Sequence, residues 1–294
     1  MHYFDPHIHM VSRTTDDYEN MAKAGIIAVL EPAFWQGQPR TSVGTFVDYF
    51  DLLVGWEHFR ASQFGIRHYC VMGMNPKEAN NIPLAEEVMK LLPRYCGKEN
   101  VLGIGEIGYD DITPNEERFF AEQMQLAKEL ELPVLIHTPH RDKVRGTERT
   151  IALMREVGVD EEKVMIDHLN EQTLPLVLET GAWRGHSVYP DTKMSEARMV
   201  ALLKQYGTEK MVVNSAADWG VSDPLKVPKT GDAMRESGFS AAAISKVLFE
   251  NPIAFYAQSG KITIEEVIRP VVDQRKLWEE NSALRGQVPI IEDS

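Results

Sequence analysis

The chain has 294 residues, 43% of them hydrophobic and 26% charged, the balance of an ordinary water-soluble globular protein. Its formal net charge of −13 opposes loose electrostatic binding to nucleic acid, and no apolar run approaches the ~18 residues that cross a bilayer. The N-terminus has no signal-peptide pattern, and two cysteines, Cys70 and Cys96, are too few for a disulfide framework, so the expected compartment is cytoplasmic. In chain order, short apolar runs at 3–9, 26–34, 67–74, 101–108, 133–137, 164–168, 183–189 and 211–215 predict eight strands. Between them, 17–24, 45–64, 84–92, 115–131, 147–157, 171–179 and 195–206 carry helical spacing. The clearest is 115–131, where Phe119, Phe120, Met124, Leu126, Ala127 and Leu130 fall largely on one stripe. Gly25, Gly65, Gly158, Gly181 and Gly207 stand where helices stop. Alternating strands and helices indicate a parallel sheet buried on both faces, and eight repeats favour a closed α/β (β/α)8 TIM barrel over an open sheet. Residues 1–260 would form the barrel. Beyond the eighth strand, 241–257 and 264–284 look helical, and 261–294 is expected to be a helical extension that packs on the barrel or meets a second subunit in a homo-oligomer.

The chemistry sits at the predicted strand ends. In Asp5-Pro-His7-Ile-His9 two histidines are spaced two apart on a strand, so both point to one face. His137 ends the fifth apolar run and His168 the sixth; Glu106 lies in Gly103-Ile-Gly-Glu-Ile-Gly108, and Asp218 follows the eighth run. The C-terminal strand ends of a barrel form one catalytic face, which converges these six residues. Buried carboxylates and histidines would be costly there without a metal to neutralise them. Asp5 is a candidate to orient His7 rather than to bind metal. Asp167 should point away from the mouth, because its neighbour His168 points in. The glycine pattern around Glu106 formally matches a dinucleotide fingerprint, but no helix follows to hold a phosphate. No Gly-x-Ser-x-Gly and no Walker loop occurs.

With these residues in order, the chain resembles the TatD family of metal-dependent hydrolases, within the amidohydrolase superfamily, over about residues 3–256. The resemblance rests on Asp5-Pro-His7-Ile-His9, Gly105-Glu-Ile-Gly-Tyr-Asp110, the 123–137 stretch ending in Leu-Pro-Val-Leu-Ile-His, Ile166-Asp-His168 and the aspartate after strand eight. It implies that His7, His9, Glu106 and Asp218 hold one metal, and Glu106, His137 and His168 a second. Glu106 would bridge them, in place of the carboxylated lysine of other superfamily members; no lysine lies at a strand end for that role. Where the family usually reads Thr-Asp-x-Pro, this chain reads Asn214-Ser-Ala-Ala-Asp-Trp-Gly220, and Leu30-Glu-Pro-Ala-Phe-Trp35 is unlike the family's DNases. Both departures mark a divergent branch.

The ligand set implies hydrolysis by a metal-activated water, with Glu106 and Asp218 as catalytic residues and Asp218 as general base. Four imidazoles suit Zn or Mn better than Mg. The expected substrate is a small phosphoester or other anionic metabolite. A TatD-type deoxyribonuclease, an amide or lactone hydrolase, and a metal-binding pathway-assembly protein are the alternatives; nucleic acid is disfavoured by charge, and no membrane partner is expected. Candidate substrate contacts are Glu31, Tyr109 and the basic stretch after strand five with His140, Arg141, Lys143 and Arg145. For Glu31 plain strand-end polarity is the other reading, and for the basic stretch a solvated helix start. Trp35 and Tyr189 are further aromatic candidates for the pocket wall.

Overall fold

The computed structural model describes residues 1–273. All eight predicted strands are present: β1 (Tyr3–Asp5), β2 (Ile26–Pro32), β3 (Arg67–Met72), β4 (Val101–Gly108), β5 (Val134–His137), β6 (Val164–Asp167), β7 (Trp183–Ser187) and β8 (Met211–Asn214). Each pairs in parallel with the next, in the order β1 to β8. Just past the strand ends, Ala216 N donates to His7 O and His9 N to Ala217 O, both at 2.8 Å, so β8 returns to β1 and the sheet becomes a (β/α)8 barrel.

The side-chain alternation of the strands sorts the core into two sets. Leu30, Val71, Leu102, Leu135, Met165 and Val212 share one cluster with Phe4. Their strand neighbours Val29, Cys70, Val101, Val134, Ile136, Val164, Ile166, Met211 and Val213 belong to a larger one, packed under the helices. The smaller cluster fills the barrel interior, so on β5, β6 and β8 the next inward positions are His137, Asp167 and Asn214. Apolar residues plug the barrel below, and polar ones are left for its mouth.

Helices follow the amphipathic segments. Pro114–Glu129 starts where Thr113 Oγ1 accepts from Glu116 N at 3.1 Å, and it buries Phe119, Phe120, Met124 and Ala127. The expected 45–64 helix is a continuous helical run, Val43–Asp51 and His58–Ser62 joined by the wider turns of Leu52–Glu57. A helix over Lys226–Glu236 has no counterpart among the predicted segments. Of the expected C-terminal extension, Ile264–Ile268 is helical, and Val267 packs into the interior cluster; residues 274–294 lie outside the described residues. Among the described residues no helix is long and apolar enough to cross a membrane.

Candidate metal centre

Five of the six expected ligands meet at the mouth. Glu106 is the centre: its Oε2 lies 3.3 Å from His7 Nε2, 3.2 Å from His168 Nε2 and 3.3 Å from His137 Nδ1. His9 Nε2 stands 3.2 Å from His7 Nε2. His7, Glu106 and His168 offer donor atoms close enough to share one ion. β4 reaches this position because Gly105 has no side chain: a Cβ there would sit 2.8 Å from both Leu135 Cβ and Leu135 O of the neighbouring strand.

His168 arrives by a different route from His137. Strict alternation would turn it outward, but β6 ends at Asp167, and His168 adopts φ +61°, a left-handed backbone that swings its ring into the mouth. This corrects the expectation for Asp167. Following Met165 by two residues, it points inward, and its Oδ2 lies 2.6 Å from His7 Nδ1. Asn214 Nδ2 donates to both Asp167 oxygens, at 3.0 and 2.9 Å. Gly185 makes room, since a Cβ there would lie 2.5 Å from Asp167 Oδ1. Burial opposes the charge on Asp167, yet His168 and His7 beside it hold its carboxyl far below the usual range.

The arrangement orients the rings. Asp167 on His7 Nδ1 and Ser187 Oγ on His168 Nδ1, at 2.6 Å each, turn both Nε2 atoms toward Glu106. Asn75 Nδ2 donates to Glu106 Oε1 at 2.8 Å and orients the carboxylate. Burial disfavours its charge as well, but His137, His168 and His7 hold Glu106 well below the ordinary value, while burial holds His9 and His168 well below theirs. Asp5 accepts from His7 N at 3.3 Å and from Ser215 N at 3.2 Å, fixing the backbone of His7.

This donor set fits divalent metal. Buried His9 Nδ1 and His137 Nδ1 have no hydrogen-bond partner. Two imidazole nitrogens face one another, and one carboxylate oxygen faces three rings, a packing of lone pairs that cations relieve.

The remaining expected residues are dispersed. Asp218, four residues past the end of β8, stands at the rim, where its Oδ1 accepts from Tyr189 OH at 2.9 Å and Gly220 N at 2.8 Å. Glu31 is fully buried on the outer face of β2, next to inward Leu30, where it accepts from Val11 N at 2.9 Å and meets His68 Nε2 at 2.8 Å. Tyr109 is also buried; its hydroxyl donates to Glu117 at 2.9 Å and its ring packs on Phe120, away from the mouth. Both corrections follow from strand parity, which sends neighbouring residues to opposite faces. His140 lies at the mouth, its ring 5.9 Å from that of His137. Lys143 turns inward but is engaged by Thr138 Oγ1 at 2.9 Å and His168 O at 3.0 Å. Arg141 is exposed and paired with Asp111, and exposed Arg145 lines a groove with Glu117 and Glu148 outside the barrel mouth. Phe34 stacks on His9 with centroids 3.5 Å apart and contacts Trp219, whose ring also meets Trp35, giving the mouth one aromatic wall. Asn75, Ser187 and Asp167 carried no spacing signal, because each acts through a neighbour from another strand.

A family model described as TatD-related DNase matches residues 4–256. An uncharacterized metal-dependent hydrolase of Methanocaldococcus jannaschii is 28% identical over 253 residues, spanning 86% of this chain and 98% of that one. The crystal structure of a TatD-like protein from Archaeoglobus fulgidus is 27% identical and superposes with a TM-score of 0.72 over 86% of this chain and 99% of its own. A phosphotriesterase homology protein from Escherichia coli shares the fold, with a TM-score of 0.62 at 19% identity over 87% of this chain and 98% of its own.

Proposed function

The chain belongs to the family of TatD-related DNases, and from that premise we propose that this metal-dependent hydrolase cleaves a small phosphoester or other anionic metabolite at a binuclear divalent centre. The observation that carries the reading is Glu106, whose one carboxylate oxygen faces imidazoles at or just past the ends of β1, β5 and β6 at 3.2–3.3 Å. His7 and His9 would hold one ion and His137 and His168 the other, with Glu106 between them; the imidazoles favour Zn or Mn. Bound ions of this kind polarise the scissile bond and lower the pKa of water from ~16 towards ~7.

The chain's own residues supply orientation and proton transfer. Asp167 and Ser187 lock the rings of His7 and His168. Both hydrogen bonds on Asp218 fall on Oδ1, so Oδ2 stays available to take a proton from attacking water and return it to the leaving group. Asp218 thus acts from the rim as general base, and Tyr189 sets its orientation. The net charge of −13 repels a long polyanion outside the mouth, which favours a small substrate.

The family's description as DNases favours one other reading, cleavage of nucleic acid. Turnover of a panel of small phosphoesters and of single-stranded DNA, under identical Mn2+ and salt, separates the two. Faster cleavage of small esters is the expected result. Faster cleavage of DNA, with steep loss on adding salt, would overturn it.

A further inference from the structure

We propose that Lys193, in the loop between β7 and the following helix, receives the anionic group of the substrate. This rests on the hydrolase reading above and names a contact that strand-end reasoning does not reach. The loop is tightly closed. Val188 and Met194 form an isolated parallel bridge, Tyr189 N donates to Met194 O at 3.0 Å, and Met194 N donates to Ser187 O at 3.3 Å. Arg198 holds the Lys193 carbonyl at 2.8 Å. From this fixed backbone the side chain crosses the Tyr189 ring, with Nζ 5.1 Å from its centroid. Its ammonium interacts electrostatically with Glu106, Asp167 and Asp218, and with His9, His140 and His168 on the other sides of the mouth. Tyr189 in turn donates to Asp218 at 2.9 Å, so Lys193 stands beside the carboxylate at the rim of the centre.

What singles out this cation is that it is uncommitted. Lys143 is bonded to Thr138 and His168 O, Lys77 to Asp110, Arg141 to Asp111, and Arg13 to Asp17 and Asp218 O. Among the described residues no hydrogen bond or ion pair engages Lys193 Nζ, which lies over the Tyr189 ring. A half-buried ammonium held over a site without a partner is unfavourable until an anion joins it. The cations that the histidine set fits would make the same space more positive. An oxyanion placed between Lys193 and the centre is the group that relieves both, by a charge-assisted hydrogen bond.

The test uses inorganic phosphate as the probe, titrated calorimetrically into the full-length protein with its metal, in wild type, Lys193→Gln and Lys193→Arg. Elemental analysis of each sample accompanies the titration. Lys193→Gln should weaken phosphate about 10-fold or more, the loss of one hydrogen bond to a charged group, with metal content unchanged. Lys193→Arg should recover most of the affinity. Equal affinity in wild type and Lys193→Gln, or no binding by wild type, overturns the proposal. So does loss of metal in step with loss of phosphate, which would make Lys193 a support of the centre. Turnover is judged separately on the ester panel: phosphate bound through Lys193 without hydrolysis of any ester would sink the hydrolase reading and leave this contact standing.

Discussion

Glu31→Gln separates a substrate-contacting carboxylate from a buried structural one. Glu31 is fully buried, and burial pushes its carboxyl from 4.5 up to about 8, against the opposing pull of the Val11 N–H and Arg60. Burial likewise brings His68 down to about 4, so at neutral pH a protonated Glu31 donates to a neutral His68 Nε2 across 2.8 Å. The sign follows from linkage: an acid whose folded pKa is raised contributes stability fully present below pH 4.5 and lost as pH rises through about 8. At ~1.4 kcal/mol per pH unit, that interval amounts to roughly 5 kcal/mol as an upper bound. Glutamine does not titrate, yet its carbonyl can still accept from Val11 and its amide can donate to His68. The variant's stability relative to wild type should therefore improve by a few kcal/mol between about pH 5 and pH 9, a shift in Tm of roughly 5–10 °C. Thermal melts of both proteins across that range measure it, and KM for the best ester is recorded alongside. Parallel melting curves would refute the protonation argument. A large rise in KM in Glu31→Gln would show that the carboxylate reaches substrate after all.

Other perturbations should divide by place in the site. Asp167→Asn removes the carboxylate that orients His7 and should weaken metal affinity about 10- to 100-fold, read by competition with a chelating dye; unchanged affinity would break the link between them. Asp218→Asn should lower kcat about 10²- to 10⁴-fold with metal content retained, and near-normal turnover would remove Asp218 from the base role. Glu106→Gln should lose both metal and activity, since an amide offers one oxygen where a carboxylate offers two; elemental analysis showing full metal would contradict its central place. Arg141→Ala should leave KM for an anionic ester nearly unchanged, because that side chain is exposed and paired with Asp111, a contact worth about 1 kcal/mol at most. A tenfold rise in KM would return it to the pocket.

Much of this protein is legible in its sequence because its signals are local. Eight apolar runs separated by amphipathic segments dictate the barrel, since period-two and period-3.6 burial are properties of each segment alone. His7, His9, His137 and Glu106 were found for the same reason: each lies at or near the mouth end of its strand, and the fold brings those ends together. Parity decides the residues that were misplaced. Glu31 and Tyr109 sit at strand ends like the ligands but one position out of phase, and only the register of β2 and β4 against their neighbours shows which face each takes. Asp167 and His168 both face the mouth, although they are neighbours, because the chain turns left-handed at His168, a backbone choice with no glycine to announce it. Asn75 and Ser187 reach Glu106 and His168 through contacts between strands and loops well apart in the chain. Local pattern therefore determined the barrel and most of the candidate metal-binding set, while the partners that orient those side chains depend on tertiary structure, because a hydrogen bond between separate strands leaves no periodicity in either.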